Sequence, residues 1–307
     1  MGNDRTSGDL WMLFDYSKSA GYFSQLAGVL AGFTFLAITL LLNRQHRRGT
    51  EADAAEEHRQ DDQIVTALGC ALLGLVTAAA LYALLAGEQP WSLVSGRVLS
   101  RSMLAGVAFV FSLYTAFFAA VQLVSAAGLG AHLRFIVAVL TPPAVVAFIV
   151  ATLDDLALAL ANAPNQPPAP GEPIRPHWTQ GSAGLWAYAH HAMTWSIPIV
   201  FVLCAVIWLA GLRWRHATGG VGRLGSALRS VVSAGLSYLP YVSLTLVAWT
   251  VWRTALLSRM QLGAHIDSDR ARWLIWTCVV ILVLQSACLS LIRGADVRPD
   301  FHKEAVD

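Results

Sequence analysis

Hydroxyl and amide side chains recur at helical spacing inside stretches without charged residues, and they are the first candidates for chemistry. In the segment 230–253, such residues follow steps of three and four on either side of Pro240. Residues three and four apart share one face of a helix, so this spacing predicts a polar stripe. Similar residues occur in the segments 102–126 and 272–292. The candidates for a polar path are Ser112, Thr115, Gln122, Ser233, Ser237, Tyr241, Thr245 and Gln285.

Prolines interrupt two of these apolar segments. A proline has no N–H to donate, so helix kinks are predicted at Pro142, Pro143 and Pro240. Some transporters use a polar stripe beside such a break to present backbone carbonyls to a solute at mid-membrane. Serine and threonine also commonly bond back to their own helix or join neighbouring helices. The stripes therefore have both a transport and a structural interpretation.

Charged side chains are almost confined to the ends of the apolar segments. Asp154 and Asp155 end one segment, and Arg253 ends another. Adjacent residues on a helix project about 100° apart, so the two carboxylates cannot readily act on one substrate. We expect an interfacial charge cluster that pairs or caps helix ends, and we predict no catalytic residue. The scarcity of charge at mid-depth also disfavours a proton-coupled mechanism.

Neither the histidines nor the cysteines have the spacing of metal ligands. His190 and His191 are adjacent, whereas a tetrahedral zinc site needs about four ligands that converge on the metal. The four cysteines lie in apolar segments and form no CxxC pair, so they are expected to be buried thiols. We predict no metal site, no cofactor and no structural disulfide.

Two short motifs lack the context that their chemistry requires. Residues 220–225 fit the dinucleotide pattern G-x-G-x-x-G, but that pattern needs a preceding strand within a βαβ unit. The segment 235–237 (Gly-Leu-Ser) resembles an intramembrane serine protease motif, yet the segments 230–253 and 272–292 contain no histidine to activate a serine. Neither motif supports an enzyme.

Seven long apolar stretches must position these residues. A helix needs about 20 apolar residues to cross a bilayer, and the chain is 56% hydrophobic and only 13% charged. Backbone that crosses lipid must satisfy its own hydrogen bonds, which requires helices here. The predicted fold is an all-α, polytopic integral membrane bundle of about seven transmembrane helices without a soluble domain. The predicted spans are 22–43, 63–86, 102–126, 134–156, 193–212, 230–253 and 272–292.

The remaining segments set the domain boundaries and the orientation. We expect an N-terminal tail with an interfacial segment at 1–21, a transmembrane domain at 22–293 and a C-terminal tail at 294–307. Within the domain, a Pro-rich outer loop is predicted at 161–192. Arginines collect after the first and fifth spans, so the positive-inside rule places the N-terminus outside and the C-terminus in the cytoplasm. We expect a multi-pass protein of the cell (plasma) membrane, and the preference for arginine over lysine favours a bacterial source.

Small residues in the first span predict close helix contacts. Ser24, Gly28 and Gly32 follow one another at intervals of four, and such a ridge lets another helix approach closely. Packing within the chain is one interpretation, and a homo-oligomer through the first transmembrane helix is the other. The lipid bilayer is the expected partner, since a net charge of only +2 gives no reason to expect nucleic acid.

Three functions remain open on the sequence. The polar stripes and prolines favour passage of a small solute or ion through the bundle. The ridge of small residues fits a membrane-embedded sensor, effector or scaffold that acts through helix contacts. An intramembrane enzyme is the weakest of the three, because only the group of Asp and His residues at the outer end supports it.

Overall fold

The computed structural model describes seven ranges of the chain, separated by short gaps. They are 16–47, 54–87, 96–126, 131–162, 180–217, 223–259 and 268–291. The predicted C-terminal tail, most of the predicted N-terminal tail and the first half of the G-x-G-x-x-G motif lie outside these ranges. Within them, the chain is helical and contains no strand.

The described residues form seven helical rods. One rod consists of a short helix, a single π-helical turn and a longer helix that follow one another without a break. We refer to Ile136–Leu140 as the π turn. The α-helices are α1 (Tyr16–Arg47), α2 (Ala54–Ala86), α3 (Gly96–Ala126), α4 (Ala131–Phe135), α5 (Thr141–Asn162), α6 (Gln180–Ala217), α7 (Arg223–Ser258) and α8 (Ser268–Leu291).

Six of these rods are long and apolar enough to cross a membrane, which confirms the predicted helical membrane bundle. Helix α7 contains the sixth predicted span, 230–253, as continuous helix. Its crossing, and therefore the total of seven, stays a prediction. The six spans are Lys18–Asn43, Asp61–Ala86, Ser100–Val124, His132–Asp154, Ala183–Gly211 and Asp269–Ser290.

Helix α3 lies at the centre of the bundle. In its membrane window 78% of the residues are buried, against 22% in α1 and in α6. Helix α3 packs against α2, α5 and α7, while α1 packs mainly against α2, and α6 packs against α5 and α8. Large apolar side chains are exposed along the outer helices, as lipid-facing surfaces require. Examples are Phe33, Phe35 and Leu40 in α1 and Ile199, Val202 and Leu209 in α6.

Glycines at helix crossings allow the described helices to approach closely. A Cβ added at Gly74 of α2 would collide with the side chain of Ser112 in α3. At Gly211 of α6, it would lie 2.9 Å from the Oγ of Ser290 in α8. Gly106 of α3 is similarly tight, with an aromatic carbon of α5 at 3.2 Å from the added atom. Small residues at such crossings are typical of membrane helices, whose association depends on packing.

The predicted Pro-rich loop at 161–192 needs a correction at both ends. Helix α5 continues to Asn162, and helix α6 begins at Gln180. Leu185, Ala189 and Ala192 are buried at steps of four and three, so the segment after the prolines has an apolar face that packs as a helix. The part of the loop that holds its prolines lies outside the described ranges.

Candidate functional site

A pair of prolines leaves one backbone carbonyl in the middle of the bundle without an amide partner. In an α-helix the carbonyl of Ala138 would accept from residue 142, and in a π-helix from residue 143. Both positions are proline, which has no N–H. The hydroxyl of Ser286 in α8 fills this vacancy by donating to the Ala138 carbonyl at 2.6 Å. A residue 148 positions away in the sequence therefore satisfies the group that the prolines expose.

The π turn releases a second carbonyl next to the first. The backbone N–H of Thr141 bonds to the carbonyl of Ile136, five residues back, instead of to Val137. The Val137 carbonyl accepts a hydrogen bond from the Tyr114 hydroxyl of α3 at 3.2 Å. Tyr114 is fully enclosed, with a relative exposure of 1%. Two displaced carbonyls thus face hydroxyl groups from two different helices.

A thiol completes this group of polar atoms. The Sγ of Cys204 in α6 donates to the Oγ of Ser286 at 3.6 Å, and both side chains are buried. We refer to Tyr114, Val137, Ala138, Cys204 and Ser286 as the π-turn cluster. It joins α3, α6, α8 and the π turn through hydrogen bonds. Because π turns inside helices are frequent at functional sites, this cluster is the strongest candidate site in the described part of the chain.

Two buried amide side chains keep unused hydrogen-bonding capacity. The Nε2 of Gln285 donates to the Oγ of Ser243 in α7 at 2.9 Å, while its Oε1 is buried without a described partner. The Nε2 of Gln122 in α3 is also buried without one. A buried polar group with no partner costs about 1–3 kcal/mol. Both amides could therefore bind a polar guest with a net gain in hydrogen bonding.

The structure distributes the predicted polar-path residues over different surfaces. Gln122 and Gln285 are buried, and so are Ser112 and Thr115, whose hydroxyl groups bond to carbonyls of their own helix. Ser237 accepts a hydrogen bond at 2.9 Å from the Nε2 of Gln63 in α2. The Ser233 side chain lies outside the described set.

Two members of the predicted stripe in α7 lie on the outside of the bundle. Tyr241 and Thr245 are exposed, and the Thr245 hydroxyl donates to the carbonyl of Tyr241 at 2.8 Å. The buried polar face of α7 instead carries Ser243, Thr250 and Thr254. Pro142, Pro143 and Pro240 are all buried, and α7 runs through Pro240 as continuous helix.

The predicted interfacial charge cluster does not form an ion pair among the described side chains. The Oδ1 of Asp154 is buried without a hydrogen-bond donor. The guanidinium of Arg253 instead lies over the ring of Trp252, 6.0 Å from its centroid. The Asp155 side chain is outside the described set. The structure therefore does not pair Asp154 with Arg253.

The small-residue ridge of the first span divides between two surfaces. The Ser24 hydroxyl donates to the carbonyl of Ala79 in α2 at 2.9 Å, so this end of the ridge packs inside the chain. Gly28 and Gly32 are exposed, and a Cβ added at either position would meet nothing within 4 Å. The second half of the ridge is therefore open to lipid or to another molecule.

The histidines on α6 contact aromatic rings. His190 stacks on Trp186 with ring centroids 5.6 Å apart, and His191 lies 6.5 Å from the ring of Trp195. Within the described ranges, no three His, Cys, Asp or Glu side chains converge as metal ligands. All four cysteines are free thiols.

Comparison with known proteins does not assign the chain to a family, so its class follows from its own residues. The chain matches no protein-family model, no curated protein and no solved structure. Its described residues are helical, and six of its helices have the length and apolar composition of membrane spans. The chain is a multi-pass helical membrane protein.

Proposed function

We propose that this protein passes a small polar solute across the membrane through the interior that surrounds the π-turn cluster. The supporting observation is the carbonyl of Ala138, which no backbone amide can satisfy and which a serine hydroxyl holds at 2.6 Å. Backbone that leaves the helical pattern at membrane depth is tolerated where protein buries it or where it lines a water-filled path. Transporters use such breaks to bind solutes.

The chemistry of the cluster favours an uncharged solute. It offers hydroxyl, thiol and carbonyl groups, and the neighbouring Gln285 adds an amide oxygen without a partner. The cluster itself contains no carboxylate, histidine or basic side chain, and the buried Arg134 lies about one helical turn before Ala138. A charged solute at the cluster would therefore lack the paired charge that such a group needs inside a membrane. A solute with both a hydrogen-bond donor and an acceptor could replace the Tyr114 and Ser286 contacts one at a time.

The proposed setting of this path is the plasma membrane. The N-terminus would face outside and the C-terminus would face the cytoplasm, because arginines follow the first and fifth predicted spans. The π turn lies five to nine residues after Ala131, where its helical rod begins. It would therefore occupy the cytoplasmic half of the bilayer.

Solute flux in proteoliposomes tests the proposal with two matched tyrosine variants. The Tyr114→Phe change removes the buried hydroxyl from the cluster and keeps the ring, whereas Tyr241→Phe removes an exposed hydroxyl on α7. We expect wild-type protein to accelerate the entry of urea or glycerol over protein-free vesicles. Tyr114→Phe should change the rate by about 2- to 10-fold, as for one hydrogen bond of about 0.5–1.5 kcal/mol. Tyr241→Phe should match wild type.

Potassium entry in the same vesicles serves as the ion arm of this experiment. We expect no acceleration of potassium flux, because the cluster offers no ring of unpaired carbonyls that could replace a hydration shell. Folded wild-type protein that accelerates neither urea nor glycerol would contradict the proposal. An equal effect of both tyrosine variants would remove the assignment of the path to the π-turn cluster.

The exposed half of the α1 ridge favours a second function, a sensor, effector or scaffold that acts through helix contacts. Gly28 and Gly32 have open space around them, and a helix of a second copy could approach closely there. On this alternative, the protein forms a homo-oligomer through α1, in addition to its contact with the bilayer. The polar interior would then serve only to hold the helices together.

A leucine at Gly28 distinguishes the oligomer from packing within the chain. No atom lies within 4 Å of the added Cβ, so Gly28→Leu should leave the fold and melting temperature of the single chain unchanged. An oligomer through α1 should fall apart, which light scattering of the detergent complex would detect. An unchanged oligomer in Gly28→Leu, or a wild-type protein that is monomeric in bilayer nanodiscs, would contradict this alternative.

A further inference from the structure

Two arginines at one end of the bundle rest on aromatic rings and have no acidic partner among the described residues. The guanidinium of Arg272 in α8 lies 5.5 Å from the ring centroid of Tyr188 in α6. That of Arg253 in α7 lies 6.0 Å from the ring centroid of Trp252. The described carboxylates of Asp154 and Asp269 form no ion pair with either arginine. No acidic side chain in the described ranges therefore uses the donors of either guanidinium group.

The two arginines lie at the same depth. Arg253 is five residues before the end of α7 at Ser258, and Arg272 is four residues after the start of α8 at Ser268. At about 1.5 Å per residue, both Cα atoms lie roughly 6–8 Å from these helix ends. Helices α7 and α8 are packed neighbours in the bundle, so the two charges share one rim of it.

Exposed tryptophans mark this rim as the level of the lipid headgroups. Trp252, Trp273 and Trp276 are exposed at 56%, 76% and 58% and lie within one turn of the two arginines. Indole rings prefer the boundary between hydrocarbon and water. A guanidinium held at this boundary meets lipid phosphates before it meets any other anion. The faces of the neighbouring aromatic rings attract the two guanidinium groups and so stabilise their positions.

We propose that the rim formed by Arg253, Arg272, Tyr188 and the exposed tryptophans binds the phosphate headgroup of an anionic phospholipid. The planar guanidinium donates two parallel hydrogen bonds to phosphate oxygens, and the rim offers two such groups. The acyl chains of the lipid lie along the apolar faces of α7 and α8. This site is separate from the π-turn cluster and does not depend on the transport proposal.

Lipid titration of the purified full chain, read by native mass spectrometry, tests the site. The probes are phosphatidylglycerol, phosphatidylcholine with the same acyl chains, and inorganic phosphate. We expect wild type to bind phosphatidylglycerol more tightly than phosphatidylcholine. The double variant Arg253→Gln, Arg272→Gln should lose about 30-fold in affinity for phosphatidylglycerol, since each arginine near an anionic surface contributes about fivefold.

Arg213→Gln provides the matched control, because Arg213 is an exposed arginine near the opposite end of α6. It should bind phosphatidylglycerol as wild type does. If the double glutamine variant fails to fold, the double variant Arg253→Lys, Arg272→Lys replaces it in the titration. Lysine keeps the charge and lacks the planar fork, so it should bind less tightly than wild type but retain the preference for phosphatidylglycerol.

Three results would overturn the proposal. The first is unchanged phosphatidylglycerol affinity in the folded glutamine variant, or in the lysine variant if only that one folds. The second is equal affinity of wild type for phosphatidylcholine and phosphatidylglycerol. The third is displacement of the lipid by an equal concentration of inorganic phosphate, which would identify a free anion as the ligand.

Discussion

A leucine at Gly211 should strongly destabilise the bundle, because it would force α6 and α8 apart. The added Cβ would lie 2.9 Å from the Oγ of Ser290 and 3.0 Å from the backbone oxygen of the same residue. A hydroxyl can rotate away, but the backbone oxygen moves only if α8 moves. Forcing extra atoms into a packed interior costs about 1–3 kcal/mol and sometimes more. We expect a lower melting temperature in detergent and a reduced yield of folded protein.

Gly184→Leu controls for the effect of a leucine in the same helix. Gly184 also lies in α6, but it is exposed, and nothing lies within 4 Å of its added Cβ. Both variants replace a glycine in the same helix with the same side chain. A melting temperature near that of wild type for Gly184→Leu, with a clear decrease for Gly211→Leu, would support the close crossing of α6 and α8. Equal decreases would show that this crossing does not exist as described.

Ser286→Ala should also destabilise the bundle, because it removes the hydrogen-bond donor to the Ala138 carbonyl. The residues whose amides would serve this carbonyl in an α-helix or a π-helix are both proline, so the variant buries an unsatisfied acceptor at a cost of about 1–3 kcal/mol. Thr277→Val on the same helix loses a hydroxyl that is exposed and bonds to the carbonyl of Trp273. We expect the free energy of unfolding to decrease for Ser286→Ala and to change little for Thr277→Val.

A double-mutant cycle with Pro142 isolates the cause of this effect. The variant Pro142→Ala restores an N–H four residues after Ala138, and this N–H can donate to the same carbonyl. Ser286→Ala should therefore cost less in the Pro142→Ala background than in wild type. If the two costs simply add, as they do for distant residues, the Ser286 hydroxyl does not replace the amide donor that Pro142 lacks.

The architecture could be predicted from the sequence because the bilayer imposes a length and a composition on every crossing. Six predicted spans correspond to helices whose apolar windows qualify as membrane spans. The largest difference is the start of α6 at Gln180 instead of at 193. Its first turns carry histidines, tryptophans and glycines, so their mean hydropathy is low although one face is buried.

The sequence indicates the carbonyl at the candidate site but not the side chains that donate to it. The pair Pro142-Pro143 indicates that a carbonyl near residue 138 loses its amide partner, and this inference needs no tertiary structure. The groups that take the place of that amide, Tyr114 and Ser286, lie 23 residues and 148 residues from the carbonyls to which they donate. No periodic pattern connects such distant positions, so the spacing rules could not find them.

The stripe on α7 is predicted from its spacing, but two of its residues lie on the outside of the bundle. Ser237, Tyr241 and Thr245 do share a spacing of four, but spacing does not tell which side of the helix faces the bundle. Tyr241 and Thr245 are exposed, whereas Ser243, outside the stripe, is buried and accepts from Gln285. A hydroxyl that bonds to its own helix carries little cost in lipid, so a polar stripe need not be turned inward.

Chemical modification of Cys204 tests most directly whether small polar molecules reach the π-turn cluster. Cys204 touches Ser286, whereas Cys278 is buried in the same bundle without a hydroxyl partner in the described structure. Only a thiolate attacks the reagent methyl methanethiosulfonate, and a thiolate needs water. In folded protein that retains a single cysteine, we predict that Cys204 is modified while Cys278 is not, as read by intact mass. Equal resistance of both cysteines, with full modification after denaturation in detergent, would contradict a path through this cluster.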